Sequence, residues 1–104
     1  MNKINQPYTL GIWTAKTGNE KAFVSEWEAF ARWTAKNQSG AGTAYLLQDR
    51  DHPEQFVSFG PWESAEVIKA WRERPEFTAF VSKARELCSV VQPRSLVLIA
   101  SSEQ

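Results

Sequence analysis

Residues 59–77 read FGPWESAEVIKAWRERPEF, and this stretch carries the end of a strand directly into a helix. Ser64 can cap that helix, because its side-chain oxygen can accept a hydrogen bond from a backbone N–H of the first turn. Pro75 favours the first turn of a helix, so a second helical segment is predicted to begin there. The stretch therefore predicts a strand followed by a two-part helix that bends near Arg74.

Upstream of this stretch, the hydrophobic pattern predicts a strand, a helix and a hairpin. Residues 8–16 (YTLGIWTAK) alternate between two kinds of side chain along the chain, as a β-strand with two different faces does. Residues 19–36 (NEKAFVSEWEAFARWTAK) place aromatic side chains at helical spacing. The segments 43–49 and 54–62 are rich in β-forming residues and flank the turn RDHP, so they are predicted to pair as a hairpin.

Downstream, the pattern predicts the rest of the second helix and a last strand. The apolar stripe of that helix comprises Phe77, Phe80, Val81, Ala84, Leu87 and Cys88. Pro93 precedes the largely apolar RSLVLIA at 94–100, a fourth strand expected to be central or paired on both sides. The order βαββαβ predicts an α+β fold of the ferredoxin-like type, with helices covering one face of an antiparallel sheet.

The strands carry apolar side chains on both faces. Leu10 and Trp13 lie on opposite faces of the first strand, and Leu46 and Leu47 do so in the second. Leaving several such side chains in water would cost roughly 1.5–3 kcal/mol each. We therefore expect a second copy of the chain to cover the face that the helices leave open, forming a homodimer.

Length, charge and cysteine content exclude several classes of protein. The 104 residues predict one domain spanning 1–104. The 12 basic and 12 acidic residues balance without a basic block, so no nucleic-acid or membrane partner is expected. No apolar stretch of the secretory type opens the sequence, and the single cysteine, Cys88, fits a reducing compartment, so the expected location is cytoplasmic.

The sequence resembles the antibiotic biosynthesis monooxygenase family of dimeric α+β barrel proteins. The resemblance extends from Tyr8 to Ile99 and is carried by TAKTGNEKAFVSEW at 14–27, by the hairpin with its terminal tryptophan, and by PWESAEVIKAWRERPEF at 61–77. It implies two sheets that face each other across a dimer axis, with a pocket between sheet and helices in each subunit.

The resemblance implies a cofactor-independent monooxygenase that uses O₂ to oxidise a small quinol or a polycyclic phenol. Trp62 corresponds to the family tryptophan beside the pocket. Ser58 is a candidate hydrogen-bond donor, and Tyr45 is a candidate source of a proton. The candidate residues for binding a small aromatic substrate are Trp13, Phe59, Trp71, Phe80 and Arg85. Core packing is the simpler interpretation of Trp71, since buried aromatic residues mostly supply apolar area.

The sequence departs from both catalytic branches of the family. The haem-degrading branch uses an asparagine and an iron-binding histidine where this chain has Gly11 and Val81. Some oxygenases place an asparagine four residues before the tryptophan and a tyrosine six after it, where this chain has Ser58 and Ile68. A non-catalytic dimeric module that binds a hydrophobic small molecule or a partner protein is therefore the alternative function.

No cofactor or metal is expected. His52 lies in QDRDHPEQ among acidic residues, but this composition is ordinary for a hairpin turn. One histidine without a nearby cysteine makes a poor transition-metal site. Cys88 falls on the apolar stripe of the last helix, where a small buried hydrophobic residue is the expected role.

Overall fold

A computed structural model describes residues 3–103 of the chain. The elements are β1 (Pro7–Ala15), α1 (Glu20–Asn37), β2 (Tyr45–Gln48), β3 (Gln55–Pro61), α2 (Ala65–Arg72), α3 (Pro75–Leu87) and β4 (Cys88–Val97). The strands form one antiparallel sheet in the order β2-β3-β1-β4, which confirms the predicted α+β ferredoxin-like fold. In the described part of the chain, no helix is both long and apolar enough to cross a bilayer.

The junction quoted above folds as its residues predict, with one difference. Ser64 Oγ accepts a hydrogen bond from the backbone N–H of Val67 at 3.2 Å, which caps α2. Arg74 has extended backbone angles (φ −76°, ψ 143°), and Pro75 opens α3. The predicted bend is therefore a complete break between two helices, because the residue before a proline is pushed out of the helical region.

The last strand begins earlier than predicted and takes a different place in the sheet. β4 begins at Cys88, so Cys88 is the first strand residue and lies beyond the end of α3. Pro93 lies inside β4, opposite Gly11 of β1, and not ahead of the strand. Among residues 3–103, β4 pairs with β1 alone and forms an edge of the sheet, so the prediction of a central strand was wrong. A proline lacks an N–H, which an edge strand can accommodate on its unpaired side.

The helices pack on one face of the sheet. Alternate residues of β1 point to this face, and Gly11, Trp13 and Ala15 are buried there. Phe23 of α1 is fully buried and contacts the Trp13 ring, with centroids 5.2 Å apart. The buried core consists of Trp13, Ala15, Phe23, Phe56, Phe80, Ala84 and Cys88.

The opposite face of the sheet is apolar and uncovered in the single protomer. Tyr45 and Leu47 of β2 are 53% and 54% exposed, and Leu96 of β4 is 44% exposed. The rings of Tyr45 and Phe59 meet on this face at 5.7 Å. We refer to the face formed by Leu10, Ile12, Tyr45, Leu47, Val57, Phe59 and Leu96 as the open face.

Candidate functional site

A cavity of about 390 Å³ lies between the sheet and the helices. This volume is within the range of about 300–1,000 Å³ that is usual for small-molecule sites. The aromatic rings that line it are those of Trp13, Trp27, Phe30, Trp62, Trp71, Phe77 and Phe80. Four of the five tryptophans of the chain therefore lie in the walls of one cavity.

A tryptophan and a serine meet at the floor of the cavity. The indole N–H of Trp13 donates to Ser58 Oγ at 3.0 Å across the β1–β3 pair. Gly11 makes this possible, because a Cβ at that position would lie 2.6 Å from the Trp13 indole and 2.7 Å from Ser58 Oγ. The absence of a side chain at Gly11 lets the indole lie along the sheet and reach the hydroxyl.

Two further tryptophans make the same kind of contact in the cavity walls. The indole N–H of Trp62 donates to Thr9 Oγ1 at 2.9 Å, and that of Trp71 donates to Thr34 Oγ1 at 3.0 Å. The two indole rings are neighbours, with centroids 4.7 Å apart. All six residues of the three tryptophan–hydroxyl pairs line the cavity.

The hydrogen-bond direction in these pairs leaves the hydroxyl protons free. An indole N–H can only donate, so Ser58, Thr9 and Thr34 each act as the acceptor. A hydroxyl has one proton of its own, and the structure gives these three protons no acceptor among residues 3–103. The cavity thus presents three hydroxyl groups that can donate to an oxygen atom of a bound molecule.

Phe30 organises the aromatic wall contributed by the helices. Its ring stacks on Phe80 at 4.6 Å with 7° between the planes, and on Trp71 at 5.6 Å with 23°. Phe77 meets Trp71 edge-on at 4.7 Å. Offset stacked and edge-on rings of this kind form a rigid apolar surface. Such a surface suits a planar aromatic ligand.

Arg72 places a positive charge at the cavity wall. This half-buried residue ends α2, and its guanidinium donates to Ser95 Oγ at 2.7 Å and to the carbonyl oxygen of Arg94 at 3.3 Å. Its Nε is shielded from solvent and has no acceptor in the described residues. Burial lowers the pKa of the guanidinium, because removal from water disfavours the charged form.

The acidic side chain nearest this cavity is at its rim. Glu28 of α1 is the one carboxylate among the lining residues that the structure describes. Its Oε2 lies 3.2 Å from the guanidinium of Arg32, and both side chains are more than half exposed. The interior of the cavity therefore combines apolar rings, hydroxyl donors and one cation.

The structure brings together most of the residues predicted from the sequence. Trp13, Ser58, Trp62, Trp71 and Phe80 all line the cavity. Trp71 packs against Phe30, Trp62 and Phe77, as core packing would require, and it also lines the cavity.

Three predicted residues lie elsewhere. Phe59 reaches the cavity through its strand, but its ring is on the open face beside Tyr45. Tyr45 itself is 53% exposed, and Arg85 is exposed in the last turn of α3. Neither Tyr45 nor Arg85 is among the lining residues. The sheet alternates its side chains between faces, and this separates Tyr45 and Phe59 from Ser58.

Sequence reasoning missed Thr9, Thr34 and Arg72. A signal existed for Thr34, because it continues the spacing of the α1 apolar stripe one turn after Phe30 and is buried. A polar residue at such a position needs a hydrogen-bond partner. Nothing in the local pattern pairs Thr9 with Trp62, since these residues meet only through the β1–β3 register.

The hairpin around His52 has a structural role. Asp49 Oδ1 accepts the backbone N–H groups of Asp51 at 2.8 Å and of His52 at 2.9 Å. These bonds lower the pKa of the Asp49 carboxyl. Within residues 3–103, no group of three or more His, Cys, Asp or Glu side chains is placed to hold a metal ion. Cys88 is buried, which raises the pKa of its thiol.

Comparison with known proteins places the chain in a family. The family model of the antibiotic biosynthesis monooxygenases matches residues 10–83, and the chain belongs to that family. No curated protein matches the sequence.

Solved structures share the fold at low sequence identity. A point mutant of SnoaB, a cofactor-independent oxygenase from Streptomyces nogalater, superposes with a TM-score of 0.87 at 18% identity, over 96% of this chain and 99% of that one. Rv0793 from Mycobacterium tuberculosis superposes with a TM-score of 0.80 at 15% identity, over 93% of this chain and 98% of that one. These likenesses establish the ferredoxin-like fold of the family.

Proposed function

We propose that the protein is a cofactor-independent monooxygenase that oxidises a small quinol or polycyclic phenol with O₂. The observation that carries the proposal is the cavity, whose stacked aromatic walls and hydroxyl donors suit a planar oxygenated ring. Family membership and the resemblance in fold to SnoaB, named as a cofactor-independent oxygenase, support the reaction type.

The reaction needs little chemistry from the protein. A phenolate is a better electron donor to O₂ than its phenol, and an electron transfer followed by C–O bond formation gives a hydroperoxide on the ring. Loss of one water from the hydroperoxide leaves a carbonyl, so one oxygen atom enters the product and the other leaves as water. A water-poor pocket and hydrogen bonds to the developing oxyanion are the contributions expected from the protein.

Specific residues fit these tasks. Trp62 and Phe80 would hold the substrate ring as apolar walls, and Trp71 would extend the wall toward α2. Ser58 would donate its hydroxyl proton to a substrate oxygen, with Trp13 fixing the position of Oγ from the other side. This arrangement is preorganised, because the indole contacts restrict the hydroxyl oxygens before a ligand arrives.

We also propose that two copies pair through the open face. Tyr45, Leu47 and Leu96 are each about half exposed there, so burying the remaining apolar area would stabilise a dimer by roughly 1 kcal/mol for each side chain. The face is opposite the cavity, so pairing would leave one cavity in each protomer. Tyr45 and Phe59 would then contribute to the interface and pack on β3 from the face opposite the cavity.

One observation favours the alternative function, a non-catalytic module that binds a hydrophobic small molecule or a partner protein. The cavity interior holds no carboxylate or histidine among the described residues, so it offers no evident general base. Binding of an aromatic ligand requires no base and would use the same walls.

Oxygen consumption distinguishes the two functions. The protein is mixed with a panel of hydroquinones, naphthols and anthrones in air and under argon, while dissolved O₂ and quinone absorbance are followed. The proposed function predicts protein-dependent O₂ uptake with at least one member, reduced at least tenfold in Trp62→Phe. Trp33→Phe is the matched control, because Trp33 is outside the cavity lining. Saturable quenching of tryptophan fluorescence without O₂ uptake across the panel would instead establish the binding module.

A further inference from the structure

The polar groups of the cavity are arranged to receive an acceptor. The hydroxyl oxygens of Ser58, Thr9 and Thr34 each accept one indole N–H, and each hydroxyl keeps its own proton free to donate. A ligand that presents oxygen lone pairs matches all three positions.

The charge at the cavity wall is positive, which suits a ligand that carries a negatively charged oxygen. Arg72 is held by two neutral partners, the Ser95 hydroxyl and the Arg94 carbonyl, and no carboxylate of residues 3–103 forms an ion pair with it. Because this half-buried cation has no such partner, its electric field is only weakly screened in the low-dielectric cavity beside it. That field favours a negative charge on the ligand.

The remaining titratable groups do not cancel this field or supply a base. On α1 the lining includes Glu28 and Arg32, which neutralise each other at the exposed rim. On α2 it includes Arg72. The lining residues of α3, of the strands and of the loop at 41–44 carry no titratable side chain. As far as the described residues go, the cavity therefore has groups that stabilise an oxyanion and no base inside it that would form one.

We propose that this site takes its aromatic ligand as an oxyanion already formed in solution, held by the hydroxyls of Ser58, Thr9 and Thr34 in the field of Arg72. The ligand class is then narrower than phenols in general. It comprises aromatic phenols and enols that are acidic enough to lose a proton to water or buffer near neutral pH. The inference rests on the proposed function for the role of the cavity as a substrate site, but anion binding itself requires no turnover.

Burial alone would act in the opposite direction. Transfer of a phenolate from water to an apolar cavity raises its pKa, because desolvation disfavours the charged form. The proposal therefore requires that three hydroxyl donors and one guanidinium outweigh the desolvation. This requirement makes the sign of the change in ligand pKa on binding a decisive measurement.

The test uses alizarin, a dihydroxyanthraquinone whose visible spectrum changes when it ionises. The pKa of alizarin is determined spectrophotometrically in buffer and in the presence of saturating protein. The expected result is a pKa at least one unit lower in the bound state, which corresponds to at least tenfold tighter binding of the anion than of the neutral form. Unsubstituted anthraquinone, which cannot ionise, should bind with an affinity that is independent of pH over the same range.

Variants assign the effect to the named groups. Arg72→Gln should raise the pKa of bound alizarin by about one unit, and Ser58→Ala should raise it by a smaller amount. Arg50→Gln and Ser82→Ala are the matched controls, since both residues are exposed and lie outside the cavity lining. Should Arg72→Gln fail to fold, the measurement on the unaltered protein and on Ser58→Ala still decides the matter.

The outcomes separate this inference from the proposed function. A pKa of bound alizarin that is unchanged or raised overturns the inference, whether or not the protein consumes O₂. A lowered pKa combined with no O₂ uptake across the phenol panel supports the anion site and contradicts the monooxygenase. A lowered pKa that persists in Arg72→Gln and in Ser58→Ala would also overturn the assignment, because other groups would then hold the anion.

Discussion

Trp62 and Thr9 are joined across the β1–β3 boundary, where the indole N–H donates to Thr9 Oγ1 at 2.9 Å. The tryptophan lies just beyond the end of β3, and the threonine lies near the start of β1. The contact fixes the plane of the indole that walls the cavity. It is one of three such tryptophan–hydroxyl pairs, and each of them couples the stability of the fold to the shape of the site.

Thr9→Val should reduce stability by removing the acceptor for Trp62. A buried N–H left without a partner costs about 1–3 kcal/mol, so the free energy of unfolding should fall by about that amount. Urea denaturation at fixed protein concentration measures it. Thr14→Val is the matched control, because Thr14 is in the same strand on the opposite face. Equal losses in the two variants would contradict the structural role of the Thr9 hydroxyl.

Gly11→Ala should disturb Trp13 and Ser58 together. The added Cβ would lie 2.6 Å from the indole, so the ring must move, and overpacking of this kind costs typically about 1–3 kcal/mol. Fluorescence of the protein should change at the same time, since the Trp13 indole would lose its buried contact. Combining Gly11→Ala with Trp13→Phe should cost less than the sum of the two single changes. A double variant whose cost equals the sum of the two single costs would contradict the close approach of Gly11 to the Trp13 indole.

Leu47→Asp should prevent pairing through the open face. A charged residue within an apolar interface is left buried and unpaired, which is strongly unfavourable. Sedimentation at micromolar concentration should report a dimer for the unaltered chain and a folded monomer for the variant. Val24→Asp is the control, because Val24 is partly exposed on α1, away from that face. A well-folded monomer of the unaltered chain would contradict the proposed dimer.

Asp49 should contribute stability that disappears in acid. Hydrogen bonds from the backbone of Asp51 and of His52 lower the pKa of its carboxyl in the folded state. A carboxyl with a depressed folded-state pKa stabilises the protein above its unfolded-state pKa, and this contribution is lost as the pH falls through the folded-state value. Asp49→Asn should therefore flatten the dependence of the melting temperature on pH in the acidic range. Asp51→Asn, at a carboxyl for which no such bonds exist in the described structure, should leave the dependence unchanged.

The helices and strands followed largely from local pattern. The Ser64 cap, the proline start of α3 and the alternation in β1 could all be predicted, because each depends on residues a few positions apart. The beginning of β4 could not. The apolar stripe of α3 continues into Cys88, and only pairing of Ala15 with Cys88 shows that the strand has begun there.

For the candidate site too, some features follow from local sequence and others only from the tertiary structure. The sequence by itself determined the fold family and the position of Trp62 after β3, since these depend on the patterns of single segments and on their order along the chain. Tertiary structure alone decided which hydroxyl each indole contacts, that Tyr45 faces away from the cavity, and that Arg72 reaches β4 with no ion-pair partner in the described part of the chain. These features join residues that are distant in the chain, and their geometry is set by sheet register and helix packing, which no local pattern encodes.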